Sequence, residues 1–265
     1  MEFKKNVISY AQDNEDLILY HLLSNVKSVF WIDVGANDPV DISVTKLFSD
    51  MGGIGINIEP QKQYEQRYLD LRPRDINLRM GCGEKKGVMR LYGEGVGASF
   101  KQNAGKYEEV PVNTLEEICD TYIQPDREIH FLKIDVEGFE EQVLKGMNFE
   151  KFRPWIDMLE ATVPGSTIQS YQKWEYLLLN NKYIFGRQYG INRYYFSYEK
   201  YELLKDKLID ESKILEMYGV STDSSDYREK YDCLRVQYDA VVNSTSWKIT
   251  YPLRMISEKL KTIFR

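Results

Sequence analysis

A chain of 265 residues, 43% of them hydrophobic, is long enough to bury one principal domain with something smaller beside it. Its 35 Lys and Arg against 41 Asp and Glu leave a net charge of −6, which argues against attraction to a nucleic-acid backbone. Three scattered cysteines without a CxxC pair, two distant histidines and no apolar run near the roughly 20 residues that span a bilayer argue against a disulfide framework, a zinc site and a membrane span. The expected location is the cytoplasm.

From residue 28 to about residue 160, short apolar runs alternate with helical periodicity, the pattern of parallel strands joined by crossover helices. "SVFWIDVG" predicts the first strand, followed by a helix with Val44, Leu47, Phe48 and Met51 on one face and Gly52 and Gly53 at its end. "IGINIEP" predicts the second strand, and Tyr64, Tyr68 and Leu71 a helix that stops near Pro73. "INLRMGCG" and "VMRLY" read as short strands and residues 93–109 as a loop. Thr114 and Glu117 form a capping box for a helix burying Leu115, Ile118, Cys119 and Tyr122. "IHFLKIDV" is then a strand, "EEQVLKG" a helix closed by Gly146, and "WIDMLEA" another strand. Tyr171, Trp174, Leu177 and Leu178 suggest one more helix, and residues 183–198 an antiparallel hairpin around Gly186 to Gly190. The domain organisation expected is residues 1–218, a linker over 219–227, and a helical tail over 228–265.

Ligands of an open α/β sheet bind beyond the carboxyl ends of its strands, and three of the predicted strands end in acid: Asp33, Glu59 and Asp135. The 26 residues from Asp33 to Glu59 fit one strand-helix-strand unit, after which an acid can accept both hydroxyls of a ribose. Gly35 and Ala36 leave room for a ligand to approach the backbone. The turn "GANDP" lacks the glycines that admit a pyrophosphate, and Asp38 repels one, so a nicotinamide dinucleotide is disfavoured. A ligand with a ribose and a positive charge, such as S-adenosylmethionine, suits such a cleft.

In order along the chain, "SYAQDNEDLIL", "FWIDVGANDP", "SVTKLF", "GIGINIEP", "FLKIDVEGFEEQVLKG", "RPWIDMLEAT" and "GINRYYF" resemble the FkbM-type methyltransferases, over roughly residues 8–198. The resemblance implies a Rossmann-like class I methyltransferase: a seven-stranded, mostly parallel sheet with an antiparallel last strand and helices on both faces. It implies S-adenosylmethionine as methyl donor and a hydroxyl acceptor, often on a sugar of a bacterial surface glycan or on a polyketide. Carried over, it makes Asp33, Gly35, Ala36 and Asn37 the first cofactor loop, Glu59 the ribose acid, and Cys82 and Gly83 the residues beside the adenine; Cys82 departs from the aliphatic residue usual there. It also implies that "YAQDNED" folds over the cofactor, whereas the residues alone read equally as a helix start capped by Asp13 or Asn14.

An alcohol nucleophile needs a general base, and Asp135 and then Glu137 are the candidates, since both leave the central strand at the cofactor edge. Glu140 suits a helix dipole, and His130 begins its strand and points to the wrong end of the sheet. Arg193, Tyr194 and Trp174 are the acceptor-side candidates. Asp135, Glu137 and Glu160 offer oxygens to a divalent ion, but no loop is dedicated to one, so no metal ligands are assigned. The last stretch, residues 247–265, carries five Lys and Arg against one Glu, and from Pro252 on Leu253, Ile256, Leu260, Ile263 and Phe264 share one helical face. Such a helix suits the inner face of a membrane, a glycosyltransferase partner, or its own domain. A non-catalytic adaptor of glycan assembly recruited through that tail is therefore the alternative to an O-methyltransferase; a metal-dependent hydrolase is a third reading.

Overall fold

The computed structural model describes residues 7–101 and 106–219, together with Thr250. Residues 220–227 of the expected linker and, Thr250 apart, the expected tail over 228–265 lie outside the described residues.

Elements follow in the order α1 (Glu15–Leu22), β1 (Phe30–Val34), α2 (Lys46–Asp50), β2 (Ile54–Ile58), α3 (Lys62–Leu71), β3 (Ile76–Leu78), β4 (Gly81–Cys82), β5 (Gly87–Tyr92) and β6 (Tyr107–Asn113). Then come α4 (Leu115–Tyr122), β7 (Phe131–Ile134), α5 (Glu140–Lys145), β8 (Ile156–Glu160), α6 (Glu175–Asn180), β9 (Tyr183–Tyr189), β10 (Asn192–Ser197), α7 (Tyr198–Leu204) and α8 (Glu211–Met217). Seven strands form one sheet in the order β3-β2-β1-β7-β8-β10-β9. All run parallel except β10, which is antiparallel to β8 and to β9. This is the doubly wound, Rossmann-like arrangement, with β1 at the point where the chain turns from one half of the sheet to the other.

Strand β1 is buried along its whole length because helices cover both faces of the sheet. Phe30, Ile32 and Val34 enter a core with side chains from α4, α5 and α6, while Trp31 enters a second core with side chains from α1, α2, α7 and α8. Each such side chain contributes about 1.5–3 kcal/mol by leaving water. Gly55 is where it is because the Trp31 indole lies on it: a Cβ there would sit 2.2 Å from the ring. On the second face the register sets Asn57, Asp33 and Lys133 side by side across β2, β1 and β7, a polar row inside an otherwise apolar layer.

Several expectations change. "INLRMGCG" is two strands, because the chain turns at Met80 and leaves the main sheet for a small one of order β4-β6-β5. The expected loop over residues 93–109 ends at β6, which a mostly exposed run, "YEEVPVN", had concealed. Met51, Leu71 and Tyr122, expected on buried helix faces, are exposed at helix ends. The hairpin turns at Gly190 and Ile191, with Gly186 inside β9. Thr114 caps α4 by accepting from the Glu117 N–H at 3.1 Å, but Glu117 does not reach back: Thr114 donates to Asn113 Oδ1 at 3.0 Å instead.

Candidate active site

The carboxyl ends of β2, β1, β7 and β8 open into one cleft of about 510 Å³. The connection from β5 to β6 covers it with Gly95, Ala98, Ser99 and Phe100, and Gln12 reaches it from the segment before α1. That connection is tied on both sides. Gln61 accepts from the Gly95 N–H at 2.7 Å and donates to its carbonyl at 3.0 Å, while the Ser99 hydroxyl donates to the Glu137 carbonyl at 3.0 Å. The N-terminal segment is anchored on buried Asp16, which accepts from the Ser9 hydroxyl at 2.6 Å and the Tyr10 N–H at 2.7 Å. Asn14 occupies the position before α1 with φ 61° and makes no side-chain cap.

Glu59 ends β2 at one side of the cleft. Its two oxygens accept from the Asn37 and Gln61 backbone N–H groups, both at 2.8 Å, which fixes the carboxylate while leaving it lone pairs for a ligand. Burial pushes its pKa up, against those two hydrogen bonds. Asn37 lines the cleft in a left-handed conformation, φ 52°, and its Oδ1 is buried with no partner among the described residues. Gly35 also lines it, with φ 76°. The reason for that glycine differs from the one read in the sequence: a Cβ would sit 1.8 Å from the Asp135 carbonyl, so the close approach is between two turns of the chain. Ala36 and Asp33 lie beneath the cleft. The Ala36 carbonyl accepts from the Tyr68 hydroxyl at 3.0 Å, and Asp33, 1% exposed, is paired with Lys133 at 3.2 Å.

Lys133 is the residue the sequence reading missed. Its ammonium donates to the Gly35 carbonyl at 2.7 Å and lies 3.2 Å from Asp33 and 3.6 Å from Asp135, so it ties the first turn to the second. Burial works against its charge, but the Asp33 and Asp135 carboxylates outweigh burial and raise its pKa. A lysine inside the apolar run "FLKI" was the available signal.

On the other side of the cleft stand Asp135, Glu137 and Glu160, with Thr162, Ser166 and Thr167 beside them. Glu137, φ 53°, has a pKa raised to about 7 by burial and by Asp135 and Glu140. Glu160 is raised to about 8 by burial and then by Asp135, Glu137 and Glu140. Glu140 begins α5 and accepts from the Gly138 N–H at 2.8 Å, a local structural use. Among the described residues no group of three or more His, Cys, Asp or Glu is arranged to hold a metal ion.

Other expected residues move out of the site. Cys82 lines the cleft together with Met80 and Gly81, but Gly83 does not; it packs between Val112, Phe139 and Gly146. Trp174 and Tyr194 are core residues, 1% and 0% exposed. Arg193 is clamped between the Tyr171 and Phe185 rings, 3.7 and 3.8 Å from their centroids, and is bonded to Glu175 at 2.7 Å and to the Tyr195 hydroxyl at 2.7 Å. None of the three lines the cleft. His130 accepts from the Phe30 N–H at 2.9 Å at the opposite end of the sheet.

Residues 33–185, which run from the end of β1 through β8 and hold all the strand-end acids, match the Methyltransferase FkbM domain. The chain belongs to the FkbM methyltransferase family. No curated protein matches it. Among solved structures it is similar to precorrin-6y C5,15-methyltransferase from Geobacter metallireducens GS-15, at 15% identity and a TM-score of 0.39 over 73% of this chain and 92% of that one. The matched FkbM span begins at Asp33, so the anchored segment carrying Gln12 and the strand β10 are contributed to the cleft and its sheet by sequence outside it. Among the described residues of this FkbM protein no helix is long and apolar enough to cross a membrane.

Proposed function

We propose that the chain is an S-adenosylmethionine-dependent O-methyltransferase acting on a hydroxyl of a sugar or surface-glycan intermediate. The observation that carries the reading is a single cleft with a fixed, backbone-bonded acid, Glu59, at one side and acids of raised pKa, Glu137 and Glu160, at the other. Glu59 is placed for two ribose hydroxyls, and the unpartnered Asn37 Oδ1 and the run Met80 to Cys82 suit an adenosine beside it. Bound there, S-adenosylmethionine supplies a methyl carbon activated by a sulfonium.

The acceptor oxygen forms its bond to that carbon as the carbon–sulfur bond breaks, the bonding pair leaving with sulfur, and the hydroxyl proton passes to a carboxylate. Glu137 is better placed than Asp135 to take it. Asp135 is engaged by Lys133, while Glu137 makes no ion pair among the described residues and has a pKa near 7, where a base both holds and releases a proton at neutral pH. Glu59→Ala removes the ribose acceptor, worth about 1.5–3 kcal/mol for hydrogen bonds to a charged group. By calorimetry S-adenosylhomocysteine is expected to bind the folded variant about ten- to a hundredfold more weakly; unchanged affinity removes the reading.

A further inference from the structure

We propose that the acceptor carries a protonated amine close to the hydroxyl, as an amino sugar does, received in a chamber walled by Asp135, Glu137 and the buried carboxylate of Glu160, whose Oε2 has no partner among the described residues. The proposal rests on the methyltransferase reading above and adds the charge of the substrate to it.

Position comes first. Glu160 ends β8, and Glu59 ends β2, three strands away, so their backbones are about 14 Å apart at about 4.8 Å per strand. With the ribose at Glu59, the β8 side of the cleft lies past the methyl group, where the acceptor must be. Glu160 is 7% exposed and lines the cleft there. Its Oε1 accepts from the Thr162 hydroxyl at 3.2 Å, and its Oε2 has no partner among the described residues. A buried carboxylate oxygen without a donor is unusual, because protein interiors supply donors to such groups, and this one belongs to a side chain that lines the cleft.

Charge comes second. Lys133 is the one basic residue among the described residues that line the cleft, and its ammonium is already shared between the Gly35 carbonyl, Asp33 and Asp135. Lys101 approaches from the β5–β6 connection on the Gly138 side, where it tempers Glu137 and Glu140 without entering the lining. Glu137 and Glu160 hold protons near neutrality because burial and their acidic neighbours outweigh every cation in reach. A ligand ammonium supplies the missing charge and a donor to Oε2 together. A uronate or phosphorylated sugar would add repulsion instead, and a neutral sugar would bring no charge of its own to the Glu160 side, beyond what the methyl donor's sulfonium supplies. Thr162, Ser166 and Thr167 offer the hydroxyls that sugar rings pair with.

The test uses the full chain at pH 7 with S-adenosylhomocysteine bound, and ranks the methyl glycosides of glucosamine, glucose and glucuronic acid, which share a ring and differ in charge, by ligand-observed NMR. Affinity is expected to fall in that order by at least tenfold overall, and Glu160→Gln to compress the range to within about threefold. Acceptor-free, an S-adenosylmethionine analogue in which a carbon bearing a primary amine replaces the methylsulfonium is expected to bind at least tenfold tighter than S-adenosylhomocysteine. A flat or reversed ranking, binding by none of the glycosides, a range that Glu160→Gln leaves intact, or equal affinity for the two nucleosides overturns the charged-acceptor proposal while the methyltransferase reading stands. If S-adenosylhomocysteine itself does not bind, both fall.

Discussion

Asp75 and Asp157 are buried aspartates on opposite halves of the same sheet, and the protein treats them in opposite ways. Asp75 follows α3, on the β2 side, and meets Arg72 at 2.6 Å in a pair whose two side chains are fully buried. Arg72 spends its remaining donors on the Pro39 carbonyl at 3.0 Å and the Thr45 hydroxyl at 3.2 Å. Asp157 lies in β8 with neither carboxylate oxygen partnered among the described residues, and burial drives its pKa well up, offset only in part by Arg153. The cleft repeats the contrast, since Glu59 beside β2 is held by two backbone N–H groups and Glu160 on β8 has, among the described residues, only the Thr162 hydroxyl. The β2 half is therefore built on charges paired within the protein, a rigid seat for a fixed ligand, although Asp75 Oδ1 has no partner among the described residues. The β8 half stores acids that avoid charge by holding protons, or that wait for a partner from outside.

The comparison breaks most visibly at Arg72. Arg72→Met leaves Asp75 buried and unpaired, and such losses cost about 3–5 kcal/mol. Urea unfolding is expected to show that loss, and Arg72→Met combined with Asp75→Leu to recover most of it, because a hydrophobic pair of similar volume does not have to be desolvated as charges. A double variant as unstable as the single one would mean that the pair's bonds to Pro39 and Thr45, not its charges, hold this half together.

The β2 half was also the more legible in sequence, and for the same reason. Parallel strands covered on both faces read as apolar runs, so "FWIDV", "IGINI" and "FLKI" stand out, and an acid closing such a run is visible because it breaks the pattern. Lys133 was harder to interpret, since its meaning comes from Asp33, a hundred positions away in sequence and adjacent only through the β1–β7 register. Strand β6 was missed because a strand of a small sheet with most of its side chains in water, even a central one, carries no hydrophobic signature. On the β8 half, residue type could not separate a sugar platform from a core: Trp174 and Tyr194 are as aromatic in one role as in the other, and only packing decides. Helices α7 and α8 bury mainly Leu204, Ile214 and Leu215, too few apolar positions for periodicity to mark them.

Asp157 sharpens the comparison through pH. Its folded pKa lies above its unfolded one, so its full contribution to stability is present below about pH 4, the unfolded value, and is lost as pH rises toward the folded pKa. Asp157→Asn does not titrate. Relative to wild type, the variant is expected to gain up to about 1.4 kcal/mol per pH unit across that window, giving a higher urea midpoint at pH 7 than the wild type even if the two match at pH 4. The other raised acids, Glu15 and Asp16 among them, titrate in both proteins and cancel in the difference. A difference that does not change with pH would show that Asp157 has a partner or water that keeps its charge, and would remove it from the class of proton-storing acids.

The smallest effect is expected where water is always available as a partner. Thr114 makes only one arm of a capping box: its hydroxyl accepts from the Glu117 N–H, while the Glu117 carboxylate turns to Lys86 at 3.1 Å. Thr114→Ala therefore removes one hydrogen bond at a helix start that solvent can reach, which costs about 1 kcal/mol. Because neither lost atom titrates near neutrality, the cost should be the same at pH 5 and pH 8 in urea unfolding, unlike that of Asp157→Asn. The affinity for S-adenosylhomocysteine should not move either, since α4 contributes no residue to the cleft. A tenfold loss of affinity instead would mean that the start of α4, which follows directly from β6, holds the small sheet over the cleft, and the division into a satisfied half and a waiting half would then have to include that cover as a third part.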